Sequence, residues 1–231
     1  MNSPTCWPDR VPTYKLAIFD LDGTLADSFP WFLRIVNDIA HEFGFRHVGA
    51  EEVATLRRMG SREILKSLEV PLWKMPMIAT RMRALKRANL NHIPLFDGVP
   101  AMLRQLHDAG TIMAMVSSDN EANARQQLGP DNAALFSHFD CGASLFGKAA
   151  KFTRLVKRTG LPPQQAIAIG DEVRDCEAAR KAGLAFGAVN WGYADPETLR
   201  ALNPDEFFNS LDDIVINLHT KKDNPRSSSF A

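Results

Sequence analysis

The chain has 231 residues, of which 45% are hydrophobic and 23% are charged, so it is long enough to bury a sizeable core. Its 27 basic residues balance its 27 acidic residues, which argues against bulk electrostatic attraction to nucleic acid or to an anionic membrane. No segment has the length and apolar character of a membrane span, and the three cysteines are too widely spaced to indicate a disulfide framework or a zinc site. We therefore expect a cytoplasmic protein without nucleic-acid or membrane partners.

Both ends of the chain are polar. Residues 1–13 contain three prolines and lack the apolar core of a signal peptide, and residues 221–231 contain three consecutive serines. Both segments are predicted to be loose tails.

The first predicted strand is the short apolar run 16–19, which ends on two acids, Asp20 and Asp22. Ligands bind at the carboxyl ends of strands in open α/β sheets, so this position favours a functional site. Two carboxylates in close proximity repel each other, and a hard divalent cation with oxygen ligands, such as Mg²⁺, would compensate them. The alternative is that both acids are ordinary turn residues beside Gly23.

Residues 28–94 have a helical pattern and contain no predicted strand. An apolar stripe repeats at three- and four-residue intervals from Phe32 to Phe43, and further helices are predicted over 51–59 and 61–68, the latter capped by Ser61. A longer helix runs towards Leu90. Four basic residues are predicted to lie on its solvent side: Arg81, Arg83, Lys86 and Arg87.

From residue 95 onwards, predicted strands and helices alternate. Strands are predicted over 111–116, 139–145, 166–169 and 184–190. Helices are predicted over 100–110, 121–128, 148–158, 173–182, 196–202 and 211–218. This alternation is typical of an α/β protein with a doubly wound, Rossmann-like parallel sheet. The sequence therefore predicts a core domain from 1–27 and 95–231, with an all-helical cap domain, 28–94, inserted after the first strand.

Polar signatures follow three of the predicted strands, which would place them at one edge of the sheet. They are Asp20 and Asp22, then Ser117, then Asp171 and Asp175, with Lys148 between the last two strands. This order of motifs resembles the haloacid dehalogenase-like (HAD) superfamily, in its phosphatase branch with a helical cap. The resemblance extends from Lys15 to about Leu218.

The resemblance implies a role for each of these residues. Asp20 would be the nucleophile that attacks phosphorus, and Asp22 would protonate the leaving oxygen and later accept a proton from water. Ser117 and Lys148 would stabilise charge on the phosphoryl group. Mg²⁺ would be held by Asp20, Asp171, Asp175 and the backbone carbonyl of Asp22.

Several of these roles have alternatives. Asp171 could cap the helix that follows it, Ser117 could be a turn residue, and Asp175 could reach the metal only through water. Lys151 lies one helical turn after Lys148 and could be the active-site lysine instead. The lysine that is not used would then be a solvated side chain.

Substrate contacts are predicted for Leu21, Ser118 and Arg62. Arg57, Arg58 and Arg62 flank Gly60, a break between cap helices. One of them could bind an anionic part of the substrate, or all three could be surface charges. Cleavage of phosphonoacetaldehyde would instead require a cap lysine buried over the site, and nothing in the sequence singles out Lys66, Lys74 or Lys86.

The function predicted from this resemblance is that of a phosphoric monoester hydrolase. It would be a magnesium-dependent phosphatase acting on a small phosphomonoester through an aspartyl-phosphate, similar to phosphoglycolate phosphatases, and a monomer or homodimer. One alternative is a phosphomutase like β-phosphoglucomutase, which returns the phosphoryl group to a sugar. Another is a non-catalytic scaffold that retains the fold.

Overall fold

A computed structural model describes residues 14–142 and 147–219. The predicted tails, 1–13 and 221–231, lie outside the described residues. Among the described residues, no helix combines the length and apolar character needed to cross a membrane.

One parallel sheet forms the centre of the fold. Its strands are β1 (Leu16–Phe19), β2 (Ile112–Ser117), β3 (His138–Cys141), β4 (Ala166–Gly170), β5 (Ala185–Val189) and β6 (Glu206–Phe208). The strand order is β3-β2-β1-β4-β5-β6, and every pair of neighbours is parallel. The predicted doubly wound α/β fold is therefore confirmed.

Ten α-helices accompany the sheet in the described part of the chain. They are α1 (Phe29–Phe43), α2 (Val53–Leu56), α3 (Ser61–Ser67), α4 (Met75–Ala88), α5 (Val99–Asp108), α6 (Glu121–Ala134), α7 (Lys148–Thr159), α8 (Val173–Lys181), α9 (Pro196–Ala201) and α10 (Leu211–His219). Two apolar clusters cover the two faces of the sheet. The first packs under α5, α6 and α10, and the second packs under α7 and α8.

The register of the central strands determines which side chains meet at the sheet edge. Phe19 of β1 lies beside Met115 of β2 and Ile169 of β4. Asp20 follows β1 directly, while Ser117 and Asp171 lie two residues beyond these partners. The three side chains therefore reach the same carboxyl edge from adjacent strands.

Residues 28–94, which lie between β1 and α5, have only helices as regular elements, as predicted. This segment contains α1 to α4 and a separate apolar cluster that includes Ile39, Leu56, Leu68 and Ile78. Where the chain enters and leaves this segment, the Asp27 amide donates to the Pro94 carbonyl at 2.9 Å. The domain boundaries at 27/28 and 94/95 remain predictions.

Some predicted elements differ from the structure. Gly60, rather than Ser61, occupies the N-cap of α3, and the Gly60 amide donates to Glu63 Oε2 at 2.9 Å. The first helical run of α6 ends at Gly129, as predicted, because Gly129 has the non-helical angles φ 75° and ψ 161°; the second run, which continues from Pro130 to Ala134, was not predicted. Strand β3 ends at Cys141, and residues 143–145 of the longer predicted strand lie outside the described residues. Strand β6 was not predicted.

Candidate active site

Asp20 is buried at the end of β1 and is held by two donors. Lys148 Nζ lies 2.7 Å from Asp20 Oδ2, and the Leu21 amide donates to Asp20 Oδ1 at 2.8 Å. Lys148 comes from the first turn of α7 and also contacts Asp175 Oδ1 at 2.5 Å. The ammonium of Lys148 therefore links two buried carboxylates, one directly after β1 and the other in the first turn of α8.

Asp171 and Asp175 complete an acidic cluster with Asp20. One oxygen from each of the three carboxylates lies within 4.8 Å of the others, and all three side chains are buried. Asp171 accepts hydrogen bonds from Thr24 Oγ1 at 2.7 Å and from the Tyr193 amide at 2.8 Å. These partners lie outside α8, so Asp171 does not cap that helix, and the carboxylate of Asp175 instead accepts the Glu172 amide at 3.2 Å.

Two glycines allow the backbone to approach Asp171 closely. Gly23 has φ +77°, and a Cβ at this position would lie 2.1 Å from Asp171 Oδ2. A Cβ on Gly192 would lie 2.1 Å from Asp171 Cβ. Because neither position has room for a side chain, Asp171 is fixed between two backbone segments.

Burial and like charge raise the affinity of this cluster for protons. Burial, followed by the charge of Asp175, raises the pKa of Asp20 to about 6, although Lys148 acts in the opposite direction. Burial and the charges of Glu172, Asp175 and Asp20 raise the pKa of Asp171 well above its usual value. Four acids, Asp20, Asp171, Asp175 and Glu172, face two cations, Lys148 and Arg174, which leaves excess negative charge that a divalent cation with oxygen ligands could neutralise.

The side chain of Asp22 points away from this cluster and towards helix α4. Lys86 Nζ donates to both carboxylate oxygens of Asp22, at 2.7 and 2.8 Å, and lies 3.1 Å from Asp119 Oδ2. Burial lowers the pKa of Lys86, but the charges of Asp22 and Asp119 outweigh this effect, so that its pKa is raised. The two carboxylates therefore favour the ammonium form of Lys86.

The placement of Lys86 on the solvent side of its helix was wrong. Only 4% of Lys86 is exposed. It lies four residues after Met82 and eight after Ile78, so all three share the inward face of α4. That spacing was the available signal, although it could not identify the two carboxylates that Lys86 would meet.

Lys151 is buried but does not contact an acidic side chain of the cluster. It donates to the backbone carbonyls of Ser117, Asp140 and Gly142 at 3.3, 3.2 and 2.7 Å. The expectation of a solvated surplus lysine was wrong, because Lys151 is 7% exposed and ties the ends of β2 and β3 to α7. The structure therefore places Lys148, and not Lys151, against Asp20.

Ser117 and Ser118 follow the end of β2. The Ser117 hydroxyl is buried and accepts the Asp119 amide at 3.0 Å, a contact typical of a turn residue that also fixes this side chain at the sheet edge. Ser118 lines a cavity of about 490 Å³ between α4 and the sheet edge. Aromatic and aliphatic side chains form much of its wall, and the charged residues around it are Asp22, Arg83, Lys86, Asp119, Glu172 and Arg174.

The other predicted substrate contacts lie apart from this cavity. Leu21 is fully buried, and its amide is directed at Asp20. Arg62 is exposed on α3 and does not line the cavity. Arg57 instead connects the helical segment to the core, donating to the carbonyls of Tyr193 and Gly192 at 2.9 and 3.0 Å.

Comparisons with known proteins identify the family of this chain. Residues 17–189 match the haloacid dehalogenase-like hydrolase family. The chain is 33% identical over 199 residues to a phosphoglycolate phosphatase of Synechococcus elongatus, an alignment that covers 86% of this chain and 94% of the relative. It is 32% identical over 186 residues to a phosphoglycolate phosphatase of Xanthomonas campestris, covering 78% of this chain and 84% of that protein.

A solved haloacid dehalogenase-like hydrolase from Streptococcus pneumoniae has the same fold, with a TM-score of 0.72 and 20% identity. The match covers 88% of this chain and 98% of the solved chain. Fold, motif order and the family match lead to one assignment. This chain is an enzyme of the haloacid dehalogenase-like hydrolase family, and its relatives include phosphoglycolate phosphatases.

Proposed function

We propose that this enzyme is a magnesium-dependent phosphatase that hydrolyses a small phosphomonoester through a phosphorylated Asp20. The observation that carries the proposal is the contact of Asp20 with Lys148 inside a cluster of three buried carboxylates. A carboxylate held beside an ammonium, at the edge where parallel strands end, is suited to attack an anionic phosphoryl group.

The donor set fits Mg²⁺. Asp20, Asp171 and Asp175 offer three buried oxygens within 4.8 Å of one another. Lys148 and Arg174 offset only part of the charge of these acids and Glu172. We assign these three carboxylates and the backbone carbonyl of Asp22 as the groups that would hold the ion. When bound, Mg²⁺ would offset the negative charge that Asp20 and the phosphoryl oxygens bring together.

The reaction would proceed in two displacements. In the first, a carboxylate oxygen of Asp20 bonds to phosphorus while the bond to the alcohol oxygen breaks, and the departing oxygen takes a proton from Asp22. In the second, water bonds to phosphorus and gives a proton to Asp22. The bond between phosphorus and Asp20 then breaks, which releases phosphate and restores both carboxyl groups.

Lys148 and Ser117 would support both displacements. The ammonium of Lys148 is already oriented by Asp20 and Asp175, so little reorganisation is needed when negative charge develops nearby. The Ser117 hydroxyl currently accepts the Asp119 amide and keeps its proton available for a phosphoryl oxygen.

We further propose that the substrate is phosphoglycolate or a similar small carboxylated phosphomonoester. Phosphoglycolate phosphatases of Synechococcus elongatus and Xanthomonas campestris align over most of this chain. The cavity of about 490 Å³ beside Asp22 is large enough for a small ligand and carries three cationic side chains.

Phosphate release from a panel of phosphomonoesters, measured with Mg²⁺ and with a chelator, tests the proposal. We expect Mg²⁺-dependent release that is fastest for phosphoglycolate and is abolished by Asp20→Asn. Phosphosugar isomerisation without phosphate release would instead indicate a mutase. Absence of both activities, together with no Mg²⁺ binding, would indicate a scaffold.

A further inference from the structure

Lys86 joins the helical segment to the sheet edge. It belongs to α4, whereas Asp22 follows β1 and Asp119 follows β2, yet its ammonium contacts both carboxylates. Of the three lysines considered for a role in the predicted cap, Lys66 is exposed and Lys74 donates to the Phe43 carbonyl at 2.7 Å. Lys86 is therefore the lysine of this group that enters the site.

Asp119 provides a fixed anchor for Lys86. Its Oδ1 accepts the Asn120 amide at 2.7 Å and Asn123 Nδ2 at 2.9 Å. Asn123 Nδ2 also donates to the Arg83 carbonyl of α4 at 3.1 Å. Because Asp119 is 3% exposed and already has these partners, its position does not depend on Lys86 alone.

Asp22 is held differently. In the described part of the chain, Lys86 is the one group that donates to its carboxylate, and it occupies both oxygens. The side chain of Asp22 is 26% exposed and lines the cavity together with Lys86 and Ser118. While both oxygens are bound to Lys86, neither is free to form a hydrogen bond with the leaving oxygen of a substrate.

An anionic leaving group offers Lys86 a replacement partner. A carboxylate on the departing alcohol can accept the ammonium in the same bidentate manner as Asp22, which frees Asp22 for the leaving oxygen. A neutral alcohol offers no such exchange. A second cation lies nearby, because Arg174 lines the same cavity; its guanidinium is paired with Glu172, and its buried Nε has no hydrogen-bond partner among the described residues.

We propose that Lys86 is a specificity-determining residue, which exchanges Asp22 for a carboxylate on the leaving group of the substrate. The preference of the enzyme for carboxylated phosphomonoesters then arises in the helical segment, through a side chain that the core anchors at Asp119. This inference rests on the proposed phosphatase function.

The test compares two substrates with two-carbon leaving groups, 2-phosphoglycolate and ethyl phosphate. We expect Lys86→Met to lower kcat/KM for phosphoglycolate by about 10- to 100-fold, the size of effect expected for a hydrogen bond between charged groups. For ethyl phosphate we expect no loss, because removing Lys86 also frees Asp22. Arg87→Met, an exposed residue of the same helix, should leave both substrates unchanged.

Two further variants keep the test decisive if Lys86→Met does not fold. Lys86→Gln retains a polar side chain without the charge and should reduce the preference in the same direction, whereas Lys86→Arg should retain part of it. Equal loss for both substrates in folded variants would overturn the inference and leave Lys86 as a structural ion pair. If the unaltered enzyme released phosphate from no phosphomonoester, the proposed function itself would fail, and this inference with it.

Discussion

The two buried lysines of α7 provide a sharp test of the site, because they lie three residues apart and differ in what they contact. Lys148 contacts Asp20 at 2.7 Å and Asp175 at 2.5 Å, whereas Lys151 donates to three backbone carbonyls. We expect Lys148→Met to lower kcat strongly and Lys151→Met to reduce stability. Lys157→Met, at an exposed position of the same helix, is the matched control.

The expected magnitudes follow from these contacts. Loss of a preorganised donor to developing charge typically lowers kcat by about 10²- to 10³-fold, which is our expectation for Lys148→Met. Lys151→Met leaves three carbonyl oxygens without their donor, which we take to cost about 3 kcal/mol in total. For a chain of this size, that loss lowers Tm by roughly 6 to 12 °C.

The assay is the kcat of folded protein at saturating Mg²⁺, together with Tm by calorimetry. Stability alone does not distinguish the two variants, because removing Lys148 also leaves a buried carboxylate pair unbalanced. If Lys148→Met kept the kcat of the unaltered enzyme while folded Lys151→Met lost it, the assignment of Lys148 to the site would be wrong. Lys151 would then be the active-site lysine.

Three further outcomes are expected. Because the pKa of Asp20 is raised to about 6, a proton competes with Mg²⁺ below that pH. The affinity for Mg²⁺ should therefore fall about tenfold between pH 7.5 and pH 5. An unchanged Kd for Mg²⁺ by calorimetry would contradict this expectation. Gly23→Ala should weaken Mg²⁺ binding at least about tenfold. The new Cβ would lie 2.1 Å from Asp171 Oδ2, at a position where the backbone has φ +77°. Binding equal to that of the unaltered protein would show that Asp171 is not a ligand. Arg62→Ala on the substrate panel tests the predicted anion contact, which equal losses for charged and neutral phosphomonoesters would exclude.

The sheet could be predicted because its signals are local. Apolar runs such as 16–19 and 166–169 are bounded by polar residues, and the helical patterns between strands require parallel connections. The carboxyl ends of parallel strands lie at the same edge of a sheet, so Asp20, Ser117 and Asp171 could also be placed together at that edge. Strand β6 was missed because its three residues at the sheet edge are too few to show a period.

The contacts of the lysines could not be predicted, because they depend on how distant elements pack. Lys86 meets Asp22 across 64 positions of sequence, and its burial depends on how α4 docks on the sheet edge. Lys148 and Lys151 share one helical face, so spacing alone could not decide between them. Their difference arises from the neighbouring loops, since one ammonium meets two carboxylates and the other meets carbonyls.

Covalent trapping tests the central role of Asp20 most directly. Rapid acid quenching during turnover of phosphoglycolate, followed by hydroxylamine treatment and peptide mass spectrometry, identifies any residue that carries an acyl phosphate. We expect the modification on Asp20 and on no other acid, and its disappearance in Asp20→Asn. Sustained phosphate release without a trapped adduct, or an adduct on Asp22 or Asp171, would contradict the proposed mechanism.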